Sequence, residues 1–376
     1  MTALALALVA APLVLFGYAY VVYPAVLRLL AALRPAAPVG PIADHALAWP
    51  FVTVTIPAYN EERTIADAIE NVLAAEYPAE RREVLVLSDA STDRTDEIVR
   101  GYAGRGVHLM RLAERRGKTA LENAAGRVAR GEIIVNMDAG IRIPPRSLKA
   151  LVRAFADAGV GVASGRDISV GDERAEGNQA ESGYVGYEMG VRALETRLGG
   201  IVGASGCFYG IRRAVHDTEF PETLSRDFAS ALIARARGYR AVSVNEAVCV
   251  VPRTTALKTE FRRKVRTMAR GLQTLWYERA LMNPARYGGF ALMLISHKLC
   301  RWLAYLTLPG AVVGLMILAA DQPAARAVLT LGLVGVILGA IGLRWPGGRR
   351  VPAVFALPGF LLASNAAGIA AWIQAL

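Results

Sequence analysis

The sequence is short of cysteine, and what it has is scattered. Cys207, Cys249 and Cys300 lack the close spacing that metal ligands share, so they read as packed thiols. No G-x-G-x-x-G turn follows the first β-rich run, which ends instead in "PAYNEE"; Gly101, Gly104 and Gly106 have the wrong spacing and precede a strand. That excludes a nicotinamide-dependent dehydrogenase. Between Pro35 and Pro284 no apolar run is long enough to cross a bilayer, so the middle reads as a soluble domain of roughly 240 residues, enough for one full core. No Lys or Arg precedes the first apolar run, Leu4 to Leu27, and that run is longer than the hydrophobic region of a secretory signal. Both facts favour a membrane anchor.

What is there is segregated. The 376 residues are 54% hydrophobic, and the apolar excess sits in four runs: Leu4–Leu27 and, near the other end, about Trp302–Ala320, Val328–Trp345 and Val351–Ile373. Each is near the ~20 residues that a bilayer requires. Arg28 and Arg34 follow the first run, and Arg344, Arg349 and Arg350 lie between the last two, against Arg326 alone in the opposite loop. The positive-inside rule then puts the N-terminus outside and the central domain in the cytoplasm, beneath the inner membrane. The net charge of +11 is concentrated from Arg253 to Arg301, where eleven Lys and Arg face two acids, Glu260 and Glu278. That block abuts a span and is interleaved with Phe261, Leu272, Leu275, Trp276 and Leu281. It reads as an amphipathic segment on membrane lipid, not as a nucleic-acid surface. Four parts result: an anchor at 1–34, a domain at 35–252, an interfacial segment at 253–301 and three spans at 302–376.

Within the domain, strands and helices alternate. Phe51–Ile56 is rich in β-formers and ends at Pro57. Asn60 then reads as a cap for a helix carrying Ile65, Ala68, Ile69, Val72 and Leu73 at helical spacing. A strand at Glu83–Leu87, a polar turn at Ser88–Asp93 and a helix to about Arg100 follow. Next come a short strand at His108–Leu112, a helix from Lys118 to Arg130 and a strand at Ile133–Met137. The alternation predicts an α/β fold with a mainly parallel, doubly wound sheet. Such sheets bind ligands at the carboxyl ends of their strands. Three successive strands end there in polar groups, "PAYNEE", "SDASTD" and "MDAG". A single strand-end Asp is usually a helix cap; three polar ends on one edge point to a binding site.

These segments resemble the membrane-bound family 2 glycosyltransferases of GT-A fold, over about Val52 to Trp302. "VTVTIPAYNEERTIADAIENVL" is similar to the family's opening strand and helix, and "VLVLSDASTDRTDEIV" to its D-x-S-T-D turn. "RRGKTALENAAGRVARGEIIVNMDAG" resembles its G-K segment and D-x-D strand. "GASGCFYGIRR" resembles its donor- and acceptor-side loop, and "SRDFASALIARARGYRAVSVNEA" the helix and strand that follow its catalytic carboxylate. The resemblance implies inverting transfer of a sugar from a nucleoside diphosphate donor, with Asp227 as the base that takes the acceptor's proton. It places Pro57, Tyr59 and Glu61 around the base and ribose, Asp89 on uracil (hence a UDP-sugar), and Lys118, Asp138 and Arg266 at the diphosphate side. A lipid-linked or polysaccharide acceptor is implied, in cell-envelope synthesis, with export or polymerisation partners possible.

Two departures matter. Gly140 replaces the second Asp of D-x-D, so a divalent cation, Mg²⁺ or Mn²⁺, loses an anionic ligand. Three readings stay open. Asp138 holds the metal with waters and donor phosphates, Arg142 or Lys118 supplies the leaving-group charge instead, or the domain is a non-catalytic scaffold of an export complex. Downstream, "FRRKVRTMARGLQTLW" has Arg263 and Thr267 where processive members carry the Gln and Trp of Q-x-x-R-W. This argues against processive synthesis through a built-in channel and keeps a glycolipid product as an alternative.

Overall fold

The computed structural model describes residues 1–33, 48–170, 176–252, 257–345 and 351–376. Arg34, Arg253, Arg349 and Arg350, which enter the charge reading, lie outside them. The chain divides into two compact units: Ala31–Val170 with Val185–Arg253, and Met1–Leu30 with Gly171–Tyr184 and Thr254–Leu376.

The first unit is built on a seven-stranded sheet: β1 (Val52–Ala58), β2 (Arg82–Ser88), β3 (Val107–Arg111), β4 (Ile133–Met137), β5 (Val160–Val170), β6 (Phe208–Arg212) and β7 (Arg240–Pro252). Their spatial order is β3-β2-β1-β4-β6-β5-β7. The β1–β4 pairs and the β5–β7 pair are parallel, whereas β6 runs antiparallel to both neighbours. The period-two alternation of β2 divides its side chains between two faces. Val84 and Val86 join the core under the Ile65–Leu73 and Ser147–Arg153 helices, and Leu85 and Leu87 meet Leu121 and Ala125 of the Lys118–Val128 helix on the other. Helix Ile65–Leu73 buries Ile65, Ala68, Ile69 and Val72, each large side chain contributing about 1.5–3 kcal/mol over exposure.

Two expectations are corrected here. β1 runs through Pro57 to Ala58. Asn60 does not cap the following helix, whose N-cap is Thr64. Instead Asn60 adopts φ 56°, in the left-handed region Asn tolerates, and its side-chain carbonyl accepts the Thr92 N–H at 2.8 Å. With Asn60 N–H to Ser91 Oγ (3.2 Å), Glu61 N–H to Thr95 Oγ1 (2.8 Å) and Glu62 N–H to Asp93 Oδ2 (3.1 Å), it stitches the end of β1 to the turn after β2.

The second unit contains four helices long and apolar enough to cross a membrane: Thr2–Leu33, Gly289–Ala319, Pro323–Leu343 and Ala353–Ala375. The second begins well before Trp302. Charged and polar groups before Trp302 are tucked in: His297 and Arg301 are buried, and the Arg301 guanidinium lies 4.8 Å from the Tyr20 ring centroid. Tyr18–Val22 in the first helix and Ile295–Leu299 in the second are each one π-helical turn, joined by a Tyr18 Oη–Ser296 Oγ hydrogen bond of 2.7 Å. The basic stretch forms the Leu257–Tyr277 helix, where the Lys264 ammonium lies 4.5 Å from the Phe360 ring centroid.

Candidate active site

The parallel strands β1, β2 and β4 deliver their carboxyl ends to one edge, and reversed β6 brings its beginning there. Met137 pairs with Phe208, and Asp138 N–H donates to the Cys207 carbonyl at 3.0 Å. The "GASGC" loop thus lies beside "MDAG", although about 70 residues separate them in sequence.

Asp89, 4% exposed, directly follows β2 and accepts the backbone N–H groups of Arg116 (2.8 Å) and Gly117 (2.9 Å). Gly117 has φ 93°, a conformation that favours glycine. The two features turn the chain so that Lys118 opens its helix. Its Nζ donates to Asp138 Oδ1 at 2.6 Å and to the Gly206 carbonyl at 2.7 Å. Burial works to lower the Lys118 pKa, but Asp138, Glu122 and Asp227 more than offset it and hold the ammonium above the ordinary lysine range.

Asp227 sits in the first turn of the Arg226–Ala236 helix. It accepts from the Ser225 hydroxyl and, at 2.8 Å, from its neighbour Phe228 N–H. Gly206 packs so closely that a Cβ there would collide with the Asp227 carboxylate. Lys118, Asp138, Gly206 and Asp227 therefore form one cluster, in which the ammonium bonds Asp138 and the Gly206 carbonyl and feels the charge of Asp227.

The other predicted residues take their places around it. Tyr59 stands half-exposed after β1, with the Arg115 guanidinium 3.8 Å from its ring centroid. Pro57 lies within β1, and Glu61 Oε2 accepts the Thr64 hydroxyl at 2.5 Å. Arg142 is not in the cluster: it pairs with Asp67 at 2.6 Å, through side chains that are both largely exposed. Arg266 belongs to the other unit, on the Leu257–Tyr277 helix.

Several residues at this edge escaped sequence reasoning. Asp167 of β5 accepts the Ser205 hydroxyl on both oxygens (2.7 and 2.6 Å) and the Cys249 thiol at 3.1 Å, and so anchors the "GASGC" loop. Nothing in its mid-strand setting marks it. Glu122 follows Lys118 by one helical turn, a signal that was there to use. Its buried carboxyl accepts the Tyr209 hydroxyl at 3.0 Å, and burial raises its pKa above the carboxylate range. Arg116 pairs with Glu222, tying the lysine turn to the segment that leads to Asp227.

Against known proteins, residues 53–220 match Glycosyl transferase family 2. This is a family 2 glycosyltransferase domain. Its GT-A architecture extends to a solved structure of mannosyltransferase PcManGT from Pyrobaculum calidifontis in complex with GDP-Man and Mn²⁺, 25% identical, covering 100% of this chain and 98% of that one with a TM-score of 0.76. Dodecaprenyl-phosphate galacturonate synthase of Rhizobium johnstonii is 33% identical over 106 residues, 27% of this chain and 31% of that protein. Poly-beta-1,6-N-acetyl-D-glucosamine synthase of Staphylococcus aureus is 26% identical over 210 residues, 54% and 50% of the two chains. The chain thus spans half or less of the length of these curated relatives.

Proposed function

We propose that the chain is an inverting glycosyltransferase. It moves a sugar from a nucleoside diphosphate donor, a UDP-sugar in the first reading, to a lipid-linked or polysaccharide acceptor of the cell envelope. The domain works on the cytoplasmic side of the inner membrane. The observation that carries this is the Lys118–Asp138–Asp227 cluster at the ligand edge of a family 2 domain. An acceptor hydroxyl attacks the anomeric carbon as Asp227 takes its proton. The Lys118 ammonium faces the position of the departing diphosphate and stabilises its charge. Asp138 suits a divalent ion as one carboxylate ligand, with donor phosphates and waters completing the shell. When bound, such an ion neutralises leaving-group charge. Arg266 is assigned to the same diphosphate by the family motif alone.

GDP-sugars are the second reading for the donor, because the full-length neighbour PcManGT was solved with GDP-Man. Asp89 also weakens the uracil argument, since both its oxygens already bind backbone. The test is transfer by the purified protein from a panel of radiolabelled UDP- and GDP-sugars. Product extracted into organic solvent marks a lipid acceptor, and precipitated product marks a polymer. Asp227→Asn should lower turnover by about 10²–10⁴, the usual contribution of a general base. Neither transfer nor hydrolysis of any donor by the folded wild type would instead support the scaffold reading.

A further inference from the structure

The Lys118 ammonium stands where a cation on Asp138 would stand. It lies 2.6 Å from Oδ1 and is held on its other side by the Gly206 carbonyl at 2.7 Å. Two residues on, Gly140 contributes no side chain, and a Cβ built there meets nothing within 4 Å. Among the described residues no group of three or more His, Cys, Asp and Glu is placed to hold a metal. The end of β4 therefore offers one carboxylate, and that carboxylate already has a cation.

We propose, resting on the transferase reading above, that Lys118 makes divalent-cation binding conditional on the donor. In the donor-free chain its ammonium neutralises Asp138 and keeps the ion out. A nucleoside diphosphate draws the ammonium onto its phosphate oxygens and releases the carboxylate to the ion. The physical case is a competition of charges. A divalent ion approaching Asp138 meets a fixed positive charge a few ångströms away, and the two cations repel across a partly desolvated site. A diphosphate resolves the conflict: it gives the lysine a charged hydrogen-bond partner and adds the oxygen ligands that a single carboxylate cannot provide. Gly140 completes the device, because one lysine could not neutralise a pair of carboxylates, and the ion would then bind unaided. By linkage, whatever factor the donor adds to ion affinity the ion adds to donor affinity.

The experiment measures binding, not turnover. Purified protein without nucleotide is titrated with Mn²⁺, following free Mn²⁺ by electron paramagnetic resonance, and UDP and GDP binding are measured separately by calorimetry. Lys118→Met should bind Mn²⁺ about ten- to a hundredfold more tightly than wild type, the equivalent of one charged hydrogen bond no longer competing. Gly140→Asp, which keeps the lysine and enters open space, should shift Mn²⁺ affinity in the same direction. If Lys118→Met folds poorly, Lys118→Gln, which removes the charge and keeps a donor for the Gly206 carbonyl, takes its place. Unchanged nucleotide-free Mn²⁺ affinity in a folded Lys118 variant, in a protein that binds UDP or GDP, overturns the gate whatever Gly140→Asp does, and leaves the transferase reading standing. A wild type that binds neither nucleotide, with or without Mn²⁺, overturns both.

Discussion

Asp89 shows how one buried carboxylate can set the backbone of a site. Its two oxygens fix the Arg116 and Gly117 amides, and these set the start of the lysine helix. Asp89→Ala should therefore weaken donor binding even if the nucleobase never meets it, because Lys118 loses its placement. The expected loss is about 1.5–3 kcal/mol, the scale of hydrogen bonds to a charged group, read as nucleotide affinity by calorimetry. Asp89→Asn, which keeps an acceptor for one amide only, should fall between. Equal affinities in all three proteins would show that the turn stands without it. The sequence announced the residue types here but not their pairing. Lys118 was expected at the diphosphate and Asp138 at the metal; that they bond each other depends on how β1, β2 and β4 align, which no spacing reveals.

Among the elements, β1, β2 and β4 and the helices between them were legible because each buries an apolar set; the strand bounds moved by at most two residues, while the first helix starts four residues later, capped by Thr64 and not Asn60. β5 and β6 were not, and β7 only through the family resemblance. β5 interrupts its buried run with Arg166 and Asp167, β7 pairs with it through register shifts, and hydrophobic patterning says nothing about strand direction. The reversal at β6 is nevertheless what builds the site. The short Arg213–His216 helix that follows β6 makes a testable contact. His216 is 2% exposed and its ring lies against Gly126 of the lysine helix. Burial first, then Arg226 and Arg213, push its pKa well below 6.5. Below pH 6.5 the unfolded chain takes up a proton there that the folded chain refuses, so this group's stabilisation is lost as pH falls toward its depressed folded value. Glu122, its pKa raised by burial, acts in the opposite sense. Melting temperatures between pH 6.5 and about 5, the range in which a free histidine charges, should fall more steeply for wild type than for His216→Gln. Parallel curves would mean that the imidazole protonates freely in the fold.

On the scale of the whole molecule, hydropathy located four apolar helices. The first, Thr2–Leu33, fills the anchor read at 1–34, whereas the second starts at Gly289, well before Trp302, and absorbs Lys298 and Arg301. Composition cannot show that a buried guanidinium rests on a tyrosine ring. Nor does it show which glycines are contact points. A Cβ at Gly314 would lie 2.6 Å from the Ala5 carbonyl oxygen and 3.0 Å from Leu8 Cβ, whereas one at Gly335 meets nothing within 4 Å. Gly314→Leu should force the first two helices apart and cost about 1–3 kcal/mol, as overpacking does. Gly335→Leu should be close to neutral. Thermal unfolding in detergent, followed by size-exclusion chromatography, compares them; matching losses would mean the helix pair tolerates separation.

The two π-helical turns have a mechanical consequence. Each is a local widening of its helix, and the Tyr18–Ser296 bond holds the two widenings side by side. Such a pair works like a key in its slot. Displacing one helix along the other by a single residue, about 1.5 Å, would set a bulge against a regular turn and break the bond. The joint resists pistoning of one helix along the other, and the close contact at Gly314 with Ala5 holds the same pair at a second point.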